Sequence, residues 1–241
     1  MSENLCYTDA YARSVEAVVV ETDPEAHAVL LDRTIFYPGG GGQPADSGRL
    51  VGTGGGSWTV AGAKKRGEDI WHTIADGEQL PAPDTQVTAE LDWERRHRLM
   101  RTHSALHVLC GVVWRDHRAS VTGGNMEPLS GRMDFEFETM SGELVGEIER
   151  RVNEEVAADR EIRVAILPRE EAFAIPDLVR TKINLLPEGI NEVRTIEIVG
   201  LDLQADGGTH VARTGEIGRV KVTGYESKGR INKRIRIAVE E

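Results

Sequence analysis

DWERRHRLMRTHSALHVLCGVVWRDHR, residues 92 to 118, divides the chain into two halves of different character. Asp92 is a residue type that caps helices, because its carboxylate can accept from the unpaired amides of a first turn. From Trp93 to about Arg115 the apolar residues Leu99, Leu106, Cys110 and Val113 recur at helical intervals. The residues before this helix read as strands and turns, and those after it mix helices with strands. The pattern predicts an α+β fold. A small β-barrel, or a sandwich of similar size, would occupy residues 1 to 88, and a mixed α/β domain opened by the long helix residues 89 to 241.

Towards the N-terminus, Val15–Thr22, Ala26–Asp32, Ser57–Ala61, Asp69–Thr73 and Thr85–Leu91 are short runs of strand character. DPE at 23 to 25 and the Pro-rich DGEQLPAPDT at 76 to 85 break them. FYPGGGGQPADSG at 36 to 48 and GTGGGS at 52 to 57 hold too many glycines for a helix and favour tight turns with positive φ. The first of these lacks the Gly-Lys-Ser/Thr ending of a phosphate loop. A turn that presents Gln43 and Asp46 to a cleft fits it better.

Towards the C-terminus, TGGN at 122 to 125 reads as a turn leading into a strand over 132 to 137, where Met133, Phe135 and Phe137 alternate with polar residues. Ser141 is placed to cap a second helix to about Asp159, with Leu144, Ile148, Val152 and Val156 as its buried stripe. Further strands are expected at Ile162–Leu167, Val193–Val199, Arg219–Gly224 and Arg234–Val239.

The net charge of −11 and pI near 5.2 argue against a uniformly basic nucleic-acid binder. Two local patches run the other way. Residues 94 to 118 hold six arginines against two acids, and KGRINKRIRI at 228 to 237 holds five basic residues and no acid. A polarised molecule of this kind can still orient on RNA. The first residues carry no apolar signal-peptide core, and no run approaches the ~18 apolar residues of a membrane span. Cys6 and Cys110 are too few for a disulfide framework. A cytoplasmic protein with no membrane partner is expected.

His103 and His107 stand four residues apart in the helical pattern, which puts both imidazoles on one face and suits a shared metal ion. Such a pair alone is weak evidence, because it is more often an ordinary feature of a helix surface. It is not the H-E-x-x-H motif, because Ser104 stands where that motif needs glutamate. In DLQADGGTHVARTGEIG, residues 202 to 218, Asp206 precedes His210 by four residues across a Gly-Gly-Thr turn that can aim both side chains at one ion. Two such pairs, about a hundred residues apart, are a common way to build a site between elements.

RTHSALH at 101 to 107 and DGGTHVARTGEIG at 206 to 218 resemble the H-x-x-x-H and C-x-x-x-H motifs of alanyl-tRNA synthetase editing domains and of their freestanding relatives, the AlaX proteins. VTGGN at 121 to 125, GRMDFEF at 131 to 137 and ESKGRINKRIRI at 226 to 237 agree with that family in the same order, and FYPGGGGQPADSG resembles the glycine-rich motif of its medium-length members. The resemblance implies a metal site of His103, His107, Asp206 and His210 with one divalent ion, zinc being expected. It implies hydrolysis of the ester in mischarged tRNA(Ala), mainly Ser-tRNA(Ala) and also Gly-tRNA(Ala), with the second domain as the editing domain. Asp206 departs from the pattern, which has cysteine there. It is either a ligand or, beside three histidines and a water, a base or outer partner.

Asp206, His103 and Thr209 form the expected catalytic set. Gln43, Asp46, Thr102, Ser104, Gln204, Arg234 and Arg236 are the candidates for binding substrate. The ion would either anchor the aminoacyl group or acidify an attacking water. The alternative reading is a non-catalytic metal- and tRNA-binding module. A ligase is a further alternative, but synthesis needs an ATP-binding catalytic domain and no segment of the 241 residues reads as one; a failed aminoacylation assay would close it.

Overall fold

The computed structural model describes residues 2–178, 180 and 190–240. It is a mixed α+β protein whose chain forms two compact units, one ending at His97 and the other starting at Arg98, so the division falls inside the long helix.

In the first unit, β1 (Glu3–Asn4) pairs in parallel with β4 (Arg33–Thr34). The remaining strands are β2 (Ser14–Asp23), β3 (Ala28–Leu31), β5 (Gly48–Gly52), β6 (Ser57–Arg66), β7 (Asp69–Ile74) and β8 (Gln86–Leu91). They close a barrel in the order β2-β3-β7-β6-β5-β8, with every neighbour antiparallel. The barrel expected of the N-terminal half is therefore present. Alternation fills it: Ile70, His72 and Ile74 of β7 point inwards, as do Val87 and Ala89 of β8 and Leu50 of β5. Register shifts at Val19/Glu21 and Val60/Gly62 supply the local bends that closure requires. The strand β5, lying between the two glycine-rich stretches, had no sequence signal of its own.

The loop from Phe36 to Gly48 turns on four consecutive glycines, Gly39 to Gly42, all with positive φ. Asp46 closes it by accepting from the Tyr37 N–H at 2.6 Å and returning its own N–H to the Tyr37 carbonyl at 3.0 Å.

The long helix α1 (Trp93–His117) starts where Asp92 Oδ1 accepts from the Arg95 N–H at 3.1 Å. From Thr102 to Val113 every residue is buried, so in the second unit α1 is a central helix rather than an amphipathic one. The second unit adds β9 (Val121–Glu127), β10 (Ser130–Glu136), α2 (Gly142–Ala157), β11 (Ile162–Pro168), α3 (Arg169–Ala174), β12 (Glu192–Ile198), β13 (Asp202–Ala205), β14 (Val220–Ser227) and β15 (Asn232–Val239). They make two antiparallel sheets, β14-β15-β10-β9 and β11-β12-β13. TGGN is not a turn. Gly123 and Gly124 are extended within β9, paired to Asp134 and Met133, and the reversal comes later, with Leu129 at φ 60. The stripe of α2 also shifts: Val145 is buried with Ile148, Val152 and Val156, while Leu144 is half-buried. Gly111 marks a close approach, because a Cβ there would lie 2.9 Å from both Asp202 and Leu201 side chains. The absence of a side chain at Gly111 brings α1 against the turn into β13, the strand that leads to Asp206.

Candidate metal centre

Both ends of the cluster are built by rigid backbone. His103 and His107 are buried on the central part of α1. Asp206 follows β13 directly, and its N–H donates to the Arg194 carbonyl at 3.1 Å, extending the pairing with β12. The Arg194 guanidinium in turn donates to the Asp206 carbonyl at 3.0 Å. Asp206 Oδ2 accepts from the Gly208 N–H two residues on, a turn that fixes the carboxylate without a positive φ at either Gly207 or Gly208. His210 then comes back to the same point.

The donor atoms of His103, His107, Asp206 and His210 all lie within 4.8 Å of one another. Asp206 Oδ1 is 3.5 Å from His103 Nε2 and 3.8 Å from His107 Nε2, and Asp206 Oδ2 is 3.2 Å from His210 Nε2. Four ligands at zinc-like bond lengths stand about 3.3 Å apart around a tetrahedron, so these separations fit a single small cation. His107 Nδ1 is buried without a hydrogen-bond partner among the described residues, an unmet polar atom at the cluster. Burial holds the His103 and His210 imidazoles below their ordinary range, which keeps them neutral with a lone pair to give. Burial works to raise the Asp206 carboxyl. The imidazoles around it, His103 foremost, outweigh that and hold it well below the usual carboxylate range. Three imidazoles and one carboxylate are a donor set suited to zinc and to other borderline divalent ions.

The remaining candidates fall in different places. Ser104 is fully buried, its hydroxyl between His210 Nδ1 at 3.2 Å and the Val211 N–H at 3.1 Å. Thr102 donates to the Arg98 carbonyl and accepts from the Leu129 N–H, each at 2.8 Å, which ties α1 to the β9–β10 turn. Thr209 has no exposed surface. Gln204 on β13 donates to Asp202. Arg234 forms two bonds to Asp134, at 2.7 and 2.8 Å, and Arg236 donates to Glu226 at 2.6 Å. In the first unit, Gln43 is buried and its backbone bridges to Gly40. Asp46 does not face open space: both of its oxygens are engaged by Arg96 and the Tyr37 N–H. Sequence reasoning passed over Arg96 and Arg194. Arg96 is fully buried and also donates to the Ala10 and Ile35 carbonyls at 2.9 and 2.7 Å. Arg194 lowers the neighbouring His103 through its charge. Neither arginine belongs to a local pattern that a sequence could display.

Among the described residues, no helix is long and apolar enough to cross a membrane. Residues 193–236 match the family described as the threonyl and alanyl tRNA synthetase second additional domain, and residues 7–95 match class II (A) tRNA synthetases. The chain is similar to the alanyl-tRNA editing protein AlaX-M of Saccharolobus solfataricus, at 38% identity over 242 residues and 100% of both chains. The protein of that name from Methanosarcina mazei is 35% identical over 240 residues, 98% of this chain and 95% of its own. The alanine–tRNA ligase of Pyrobaculum aerophilum is 36% identical over 232 residues, which is 93% of this chain and 25% of the ligase.

Proposed function

Because the chain belongs to the AlaX-M family of alanyl-tRNA editing proteins, we propose that it is an aminoacyl-tRNA deacylase that removes wrong amino acids, serine first and glycine second, from tRNA(Ala) in the cytoplasm. The observation that carries the reading is the convergence of His103, His107, Asp206 and His210 within 4.8 Å, in a chain similar to editing proteins over its whole length. In this reading the second unit is the editing domain. The four residues hold one divalent ion, zinc by preference, with Asp206 as the anionic ligand.

Once bound there, such an ion supplies Lewis acidity to the ester linkage. The chain supplies the rest. Burial keeps His103 and His210 neutral, so neither ring has to lose a net proton before it can bind an ion. The enclosure of the cluster by α1 and the 206–210 turn limits the number of waters that reach it and strengthens every dipole in it. Hydrolysis adds one water across the ester: the carbonyl carbon gains the hydroxyl, the bond to the ribose oxygen breaks, and that oxygen takes the proton. Serine differs from alanine by one hydroxyl, and only a site that hydrogen-bonds this group can separate them strongly. A deacylation time course on Ser-, Gly- and Ala-tRNA(Ala), with and without chelator, tests the reading. We expect Ser-tRNA(Ala) to be hydrolysed fastest and chelation to abolish the activity, with recovery on adding zinc. A zinc-supplied protein that binds tRNA but leaves every ester intact would support a non-catalytic module instead.

A further inference from the structure

His210 is held at both ring nitrogens. Nε2 faces Asp206 Oδ2, and Nδ1 lies 3.2 Å from Ser104 Oγ on α1, 106 residues away in sequence. The same hydroxyl accepts from the Val211 N–H at 3.1 Å. Ser104 thus grips the backbone just after His210 as well as the ring, and it does so from the residue next to His103. Since it is fully buried, with partners on two sides, it has no face left for a substrate.

A serine hydroxyl has one proton and two lone pairs. The Val211 amide can only donate, so it occupies one lone pair. One lone pair and one proton remain for His210 Nδ1. A carbonyl or carboxylate in this position could only accept. The hydroxyl can serve both neutral tautomers of the ring: it donates to Nδ1 when Nε2 carries the proton and bonds Asp206, and it accepts from Nδ1–H when Nε2 bears the lone pair. We propose that Ser104 is a positioning residue for His210, holding the imidazole so that the Nδ1–H tautomer turns its Nε2 lone pair towards the cation, and permitting the opposite tautomer in the metal-free protein. Between the two forms one proton leaves Nε2 and one is taken up at Nδ1. The ring stays neutral, and the hydroxyl has only to rotate. A hydrogen-bond partner on the second ring nitrogen fixes the tautomer and the orientation of a ligating histidine.

The inference rests on the metal reading of the cluster. Its test compares full-length wild type, Ser104→Ala and Ser104→Thr. Zinc affinity is measured by competition with a chromogenic chelator, and the His210 tautomer by long-range proton–nitrogen NMR on histidine-labelled protein. We expect His210 protonated at Nδ1 in the zinc-loaded wild type, an affinity about 10–100-fold lower in Ser104→Ala, and recovery to within a few-fold in Ser104→Thr, which restores the hydroxyl. Wild-type affinity in Ser104→Ala overturns the proposal, as does a proton on His210 Nε2 in the loaded wild type. If Ser104→Ala fails to fold, the wild-type tautomer decides: Nδ1–H supports the proposal, Nε2–H overturns it. A wild type that binds no zinc overturns the metal reading itself, and this inference with it.

Discussion

Asp206 stands where the resemblance to editing domains places a cysteine, and its carboxylate is divided between its neighbours. Oδ1 faces His103 and His107, while Oδ2 faces His210 and the Gly208 N–H. As a ligand it offers a harder and weaker donor than thiolate. We therefore expect Asp206→Asn, which removes the anion at constant size, to lose zinc and deacylation together. Asp206→Cys should bind zinc at least as tightly as wild type and react more slowly, because thiolate lowers the Lewis acidity of the ion. Elemental analysis and initial rates on both variants check this; full zinc in the Asn variant would show that three histidines suffice. The convergence of the four residues was legible in the sequence, since i, i+4 spacing on a helix and a Gly-Gly turn each aim two side chains one way. The surroundings were not. Ser104 and Asp46 look like polar residues free to meet a substrate, yet His210, which Ser104 meets, and Arg96, which Asp46 meets, lie 106 and 50 residues away. Only the fold brings those partners in.

The barrel and the helix start that packs on its loop carry two expectations at the level of the element. Arg96, in the first turn of α1, and Asp46, in the glycine-rich loop, are a wholly buried ion pair. Removing one partner leaves a desolvated charge, so Arg96→Met should cost about 3–5 kcal/mol in urea unfolding of the full chain, and Arg96→Met/Asp46→Leu should recover a large part. Inside the barrel, His72 sits in a chain of bonds: Phe36 N–H donates to Thr34 Oγ1, the Thr34 hydroxyl to His72 Nε2, and His72 Nδ1–H to the Val29 carbonyl. Desolvation lowers its pKa from 6.5 to about 4. Above pH 6.5 the ring is neutral folded and unfolded alike. Below it the unfolded chain takes up a proton that the folded barrel refuses, so stability falls until about pH 4 and this contribution then levels off. The loss amounts to about 3 kcal/mol. His72→Gln keeps a donor and an acceptor but no titration, and the difference in unfolding free energy between it and wild type should trace that window. A flat difference would mean that the ring is hydrated. Barrel strands were legible wherever apolar residues alternate, as at Asp69–Ile74. Glycine misled at β9, because glycine tolerates extended backbone as readily as a turn, and pairing with β10 decided the matter.

Over the whole molecule the charge sums to −11, so any approach of tRNA has to use a local surface. The sheet β14-β15-β10-β9 offers one, and its register explains how. Arg234 and Arg236 alternate with the buried Ile235 and Ile237, so both arginines lie on the outer face. Arg132 pairs opposite Arg236, while Asp134 and Glu226 flank Arg234 from the two neighbouring strands. Arg132, Lys228, Arg234 and Arg236 gather here around Asp134 and Glu226, with Glu127 and Glu136 on the same face further along β9 and β10, so the basic groups cluster along β15. The two arginines named from the sequence are not equivalent. The Arg234 side chain is 17% exposed and its charge is met by Asp134, whereas the Arg236 side chain is 43% exposed and shares Glu226 with Lys228. Arg236→Gln should weaken tRNA binding and reduce the log–log salt slope by up to about 0.9 for a lost phosphate contact. Glu226→Gln should do the opposite, tightening binding at low salt by freeing Arg236 and Lys228 and steepening the slope. Because the two substitutions act in opposite directions, general damage to the fold cannot mimic the pair. Filter binding of tRNA(Ala) across a salt series reads both slopes, and unchanged affinity in both variants would move the tRNA contact to another face.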